Sequence, residues 1–264
     1  MTAVLLDIDG VLHVSGEPVE GSPETIAALR EAGHPLRLVT NNTTRSRARL
    51  AAELRELGIE VAEEELETTP VAAARSLRGS RVFALTMPAI REDLARHVEL
   101  VDRDADVVLV GGADESEATG KVFAWERLNA AFAELERGAR LVCLHRNRWW
   151  QTARGPLLDT GLVVAGLEYA AGVEAEVVGK PSRAYFEAAL AALDASPEDA
   201  TMVGDDVDTD IVPAKRLGLQ AVLVRTGKFR EDALAAAELE PDAVLASVAD
   251  LPAWLAERSE SLAG

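Results

Sequence analysis

Four stretches of this 264-residue sequence gather carboxylate, hydroxyl, amide and ammonium groups, and each follows an apolar run. AVLL (3–6) leads into Asp7-Ile8-Asp9-Gly10, and LRLV (36–39) into Thr40-Asn41-Asn42. EVVG (176–179) leads into Lys180-Pro181, and TMVG (201–204) into Asp205-Asp206-Val207-Asp208-Thr209-Asp210. Asp7 and Asp9, two residues apart at a strand end, are expected to face the same side. Two acids so close, joined by Asp205 and Asp210, cannot all ionise cheaply without a cation. An oxygen-only set suits a hard ion, and Mg²⁺ is held by one or two carboxylates plus waters and substrate phosphate. Lys180 supplies a point charge of the kind found in phosphate sites. Thr40 and the amides of Asn41 and Asn42 are expected to open a helix, whose N-terminus binds anions. Together these groups suit phosphoryl transfer: a carboxylate nucleophile, an acid/base, a metal, and donors for three equatorial oxygens.

The elements that must position these groups show in the hydrophobic pattern. Eight runs of four to six residues, rich in Val and Leu, mostly lack polar alternation: the four above, with RVFALT (81–86), VVLVGG (107–112), RLVCLH (140–145) and AVLV (221–224). That is the pattern of strands buried on both faces of a parallel sheet. Helix-like stretches lie between them, among them SPETIAALREAG, with Ser22 expected as N-cap, Pro23 at the first helical position and Gly33 as the stop. Alternation of this kind is α/β, and ligands of an open parallel sheet bind beyond the carboxyl ends of its strands. All four chemical stretches are therefore expected at a single edge.

Composition narrows the partners. Lys plus Arg number 27 against 45 Asp plus Glu, a net charge of −18. So acidic a surface repels nucleic acid and anionic membranes, which need a basic footprint. Only four of the basic residues are lysines: Lys121, Lys180, Lys215 and Lys228. No apolar run is long enough to span a bilayer and no signal-peptide pattern opens the chain, so a cytoplasmic location is expected. The single cysteine, Cys143, builds neither an internal disulfide nor a cysteine metal site. A calcium loop at Asp206-x-Asp208-x-Asp210 fails, because Ile211 stands where glycine is needed and Leu217 where the closing glutamate is needed.

DIDG, TNN, GKP and GDDVDTDI, in this order, resemble the four motifs of the haloacid dehalogenase superfamily of phosphohydrolases. The insertion between the second and third motifs resembles subclass IIA. The stretches LEYAAGVEAEVVGKPSRAYF and VGDDVDTDIVPAKRLGLQAVLVRTGKF look closest to its phospholysine phosphohistidine inorganic pyrophosphate phosphatase group. The resemblance implies a Rossmann-like doubly wound core at 1–77 and 176–264, interrupted by an α/β cap at 78–175. It implies that Asp7 is the nucleophile and that Asp9 protonates the leaving group and then activates water. Thr40 and Lys180, beside Asn41 and Asn42, would hold phosphoryl oxygens. Mg²⁺ would be bound by Asp7, the backbone carbonyl of Asp9 and Asp205, with Asp210 (or Asp206) supporting through water. His145, Arg146, Asn147 and Trp150, in an arginine-rich cap loop, are the candidates for reading the leaving group, with packing of Trp149 and Trp150 as the alternative. Cap-mediated pairing in the subclass makes a homodimer the expected assembly.

The implied activity is Mg²⁺-dependent hydrolysis of small phosphoesters, phosphoramidates or pyrophosphate through an aspartyl-phosphate. A carbon–halogen hydrolase would need neither Mg²⁺ nor an acid at Asp9. A phospho-accepting signalling domain would gather similar groups in about half the length and lack the insertion. A non-catalytic anion-binding protein that kept the motifs is the third alternative.

Overall fold

The computed structural model describes residues 1–152 and 155–263, with the side chains of 150–152 and 259–263 left out of the description. All eight apolar runs form strands. They divide between two sheets, in a chain of two compact units: 1–40, 50–67 and 186–264 form the first, and 41–49 and 68–185 the second.

The first unit is built on a six-stranded sheet. From edge to edge its strands are Ala243–Leu245, Gln220–Val224, Ala200–Gly204, Ala3–Asp7, Leu36–Thr40 and Leu66–Thr68. The four pairs from the first of these to Leu36–Thr40 are parallel. Counted along the chain, the spatial order is 3-2-1-4-5-6. That order reverses between Ala3–Asp7 and Ala200–Gly204, and a crevice opens beyond the strand ends at such a reversal. All five residues of each of these two strands are buried. Val4 and Leu6 pack with Leu36, Leu38, Ile26, Leu29 and Leu251 into one cluster, so the sheet is covered as the sequence pattern requires.

Helix Ser22–Glu31 follows its predicted span, but its N-cap is Gly21 at φ 81°, not Ser22. Ser22 cannot cap because its hydroxyl donates to Leu12 O at 2.9 Å, tying the helix to the loop after Asp9.

The second unit carries a five-stranded, wholly parallel sheet: Glu176–Val177, Arg140–Cys143, Val107–Val110, Arg81–Leu85 and Glu99–Leu100. Along the chain this is 2-1-3-4-5, the other common doubly wound order. Phe83, Leu85, Val108, Val110, Leu141 and Cys143 share its core with residues of helices Trp125–Glu136 and Gly161–Ala171. Glu176–Val177, expected in the core sheet, instead pairs with Arg140–Cys143, so the four chemical stretches do not leave one sheet. Two residues supply too little pattern to assign a sheet from sequence. No helix among the described residues is long and apolar enough to cross a membrane.

Candidate active site

In the first unit the chemistry collects where the strand order reverses. Asp7 ends strand Ala3–Asp7, and Asp205 directly follows strand Ala200–Gly204. The two strands pair in parallel with Leu6 opposite Val203, which puts Asp7 level with Gly204 and Asp205 one residue beyond, both at the same end of the sheet. Asp210 reaches the same place from the π-helical turn Val207–Ile211. The three carboxylates each offer an oxygen within 4.8 Å of the others, and all three are buried. Three charges at this spacing repel by roughly 3–4 kcal/mol per pair at an effective dielectric near 20. A hard cation removes that repulsion, and an all-oxygen donor set is the one Mg²⁺ takes.

The surrounding backbone is shaped to fit these carboxylates. A Cβ on Gly204 would lie 2.4 Å from the Cβ of Asp210. A Cβ on Gly227, whose φ is 61°, would lie 2.0 Å from Oδ2 of Asp205 and 2.5 Å from the Cα of Gly10. The Lys228 amide donates to Oδ2 of Asp205 at 2.7 Å, and the Thr226 hydroxyl to Gly10 O at 2.5 Å. The loop after strand Gln220–Val224 thus aims Asp205. Lys228, to which the sequence assigned no role, lines with Arg230, Asp206 and Asp208 a cavity of about 430 Å³ beside Asp205. The available signal was its place after a strand, in a chain of few lysines.

Asp206 is turned away from this cluster. Its Oδ1 accepts from the amides of Asp208 (2.9 Å) and Thr209 (3.2 Å), capping the turn, while its own amide donates to Oδ2 of Asp210 (3.3 Å). Of the two acids left open by the sequence, Asp210 is the one grouped with Asp7 and Asp205. Asp7 is held by the Ile8 amide, which donates to its Oδ1 at 2.9 Å. Asp9 is half-exposed: its Oδ2 accepts from the Thr40 hydroxyl at 3.1 Å, and its Oδ1 lies 3.7 Å from Nε2 of His13.

Asn41, Asn42, Lys180 and the arginine-rich loop belong to the second unit. Residues 41–46 do not open a helix, since the helix runs Arg47–Glu56. The asparagine side chains instead satisfy turn and loop backbone, as Asn does when it competes with helix. Asn42 Oδ1 accepts from the amides of Thr44 and Arg45, and Arg47 N donates to Asp93. Asn41 commits its carboxamide to holding Lys180, accepting from Lys180 N (2.9 Å) and donating to Lys180 O (2.9 Å), with Thr69 donating to it as well. Its carboxamide thus positions buried Lys180.

The candidates for reading a leaving group separate. His145 is buried, with Nε2 3.1 Å from the Thr43 hydroxyl and 3.9 Å from Asp159; its Nδ1 accepts from Asn147 N. Burial pushes its pKa below the ordinary 6.5, against the opposing pull of Asp159. His145 is thus an internal brace. Arg146 is exposed and paired with Glu168 at 2.7 Å, and Asn147 is exposed. Trp150 sits in strand Trp149–Thr152, but its side chain lies outside the described residues.

Comparison with known proteins finds relatives that match most of the chain. A family model described as haloacid dehalogenase-like hydrolase matches residues 4–98, and a HAD-hydrolase-like model matches 177–251. A Xenopus laevis protein named phospholysine phosphohistidine inorganic pyrophosphate phosphatase is 39% identical over 238 residues, covering 86% of this chain and 84% of its own. The p-nitrophenyl phosphatase from Archaeoglobus fulgidus superposes with a TM-score of 0.85 at 31% identity, over 96% of this chain and 98% of the other. NagD from E. coli K-12 does so with a TM-score of 0.85 at 28% identity, over 95% and 98%.

Proposed function

Since the chain belongs to the haloacid dehalogenase-like hydrolases, in their NagD-like subclass IIA, we propose that it is a Mg²⁺-dependent phosphatase of small phosphorylated molecules, working through an aspartyl-phosphate on Asp7. The observation that carries this reading is the buried trio Asp7, Asp205 and Asp210 at the strand-order reversal. Asp7, Asp205 and the Asp9 carbonyl would hold Mg²⁺, with Asp210 acting through water. When bound, the ion offsets the carboxylate charge and that of the incoming phosphate.

The chain's own residues then divide the work. A carboxylate oxygen of Asp7 attacks phosphorus as the bond to the leaving oxygen or nitrogen breaks, and Asp9 gives its proton to the leaving atom. Asp9 next takes a proton from water, whose oxygen attacks the phosphoryl group and frees Asp7 and inorganic phosphate. Exposure of Asp9 supports its exchange of protons with substrate and water, and the Thr40 hydroxyl orients it. Lys180 neutralises phosphoryl charge and Thr40 helps to hold the group, while Asn41 braces Lys180 through its backbone N–H and C=O. A cap at residues 78–175, limiting the access of water to the intermediate, belongs to this reading. Phosphoesters, phosphoramidates and pyrophosphate are the substrate classes, the last two supported by the name of the Xenopus laevis relative. A homodimer through the cap belongs to this reading, supported by exposed Trp125, Trp149 and Tyr169.

The test is phosphate release from a panel of esters, phosphoramidates and pyrophosphate, in Mg²⁺ and in EDTA, with Asp7→Asn as control. Release that needs both Mg²⁺ and Asp7 is expected. No release from folded protein would return the reading to a binding or signalling domain.

A further inference from the structure

We propose that the second unit carries a binding site of its own for a small oxyanion on a short apolar body, in the cavity at the carboxyl ends of strands Arg81–Leu85 and Val107–Val110. Counted along the chain these are the first and third strands of a sheet ordered 2-1-3-4-5, so the reversal of strand order falls between them. In open α/β sheets that is where a ligand crevice forms. A cavity of about 180 Å³ lies there, walled by Thr86 from the end of the first strand and by helix Glu117–Val122 after the third.

The wall is cationic in a chain of net charge −18: Arg91, Lys121 and Arg127 line it, and among the described residues no carboxylate does. Arg127 is fixed in place. It donates to Ala84 O at 2.9 Å, lies 3.3 Å from Asp102 and stacks 4.7 Å above the Phe83 ring. Arg91 and Lys121 have no carboxylate within ion-pair distance among the described residues. The hydroxyl of Thr86 is buried and has no hydrogen-bond partner there. Two uncommitted cations beside one held guanidinium match a planar or tetrahedral oxyanion. Ala84, Ala118 and Val122 complete the lining with apolar surface, and the small volume limits the ligand to a handful of heavy atoms.

Nuclear magnetic resonance of the isotope-labelled full chain tests the site without turnover. Ethylphosphonate and propionate are titrated separately in EDTA, so the two arms distinguish a phosphoryl from a carboxyl ligand. Saturable shifts of the Thr86, Lys121 and Arg127 amides are expected with at least one probe. Its apparent Kd should rise about tenfold or more in the Arg91→Gln, Lys121→Gln double variant. Shifts near Asp7 report the other site and should survive that double variant, whose remaining resonances check that it is folded. The proposal is overturned if those three amides stay still through both titrations, or if they titrate unchanged in the double variant.

Discussion

Replacing Gly204 by Ala tests how tightly the carboxylate cluster is built. The new Cβ would lie 2.4 Å from the Cβ of Asp210 and 2.5 Å from its Oδ2. Carbon atoms rest about 3.5–4 Å apart, so Asp210 must retreat by about 1–1.5 Å. It has little freedom to do so, being fully buried in a turn whose preceding amides are capped by Asp206. Forcing a methyl into such a site costs about 1–3 kcal/mol, or a fall of about 2–10 °C in Tm for a chain of this size. A displacement near 1 Å among positioned groups costs on the order of a hundredfold in rate. The assay is p-nitrophenyl phosphate hydrolysis across a Mg²⁺ titration, paired with thermal melting. Gly204→Ala should need more Mg²⁺ for half-maximal rate and remain slow at saturation. A folded variant with unchanged rate and unchanged Mg²⁺ dependence would refute the link between Asp210 and the metal.

Asp206 and Asp210 should separate in the same assay. Asp206→Ala loses a cap and about 0.5–2 kcal/mol of stability with its Mg²⁺ dependence nearly kept, whereas Asp210→Ala shifts that dependence. Burial pushes the Cys143 thiol up to about 12, so Ellman's reagent should leave it untouched in native protein near pH 8 and titrate one thiol after unfolding. His145 has its folded pKa lowered by burial, so the unfolded chain takes up the proton first as pH falls. Its contribution to stability is full above about pH 6.5 and is lost as pH drops from there toward the folded value. Melting at about pH 7.5 and 5.5 should therefore show a smaller pH difference in His145→Asn than in the parent.

The motif-bearing strands were legible because their Val and Leu runs end abruptly in polar residues, and a strand buried on both faces has no other way to end. Asp7, Asp205 and Asp210 followed from that pattern, and parallel pairing then brings the first two to the same end of the sheet. The short strands Leu66–Thr68, Glu99–Leu100 and Ala243–Leu245 were not legible, being two or three residues long beside acidic or polar neighbours. Strand order, which creates both crevices, is a property of pairing between distant segments and leaves no local signal. The helix start expected at Asn41 and Asn42 misled for a specific reason. Asparagine caps helices and braces loops with the same atoms, and only the position of Lys180 N and O shows which role Asn41 takes. The role of the Lys228 amide was hidden because a backbone group carries no side-chain signature.

The most direct measurement mixes the Mg²⁺-loaded protein with phosphate-labelled substrate, quenches in acid within one turnover, and maps the label by mass spectrometry. A hydroxylamine-sensitive phosphoryl group on Asp7 is expected, and none in Asp7→Asn. Label on another residue, or undiminished turnover by Asp7→Asn, would contradict it.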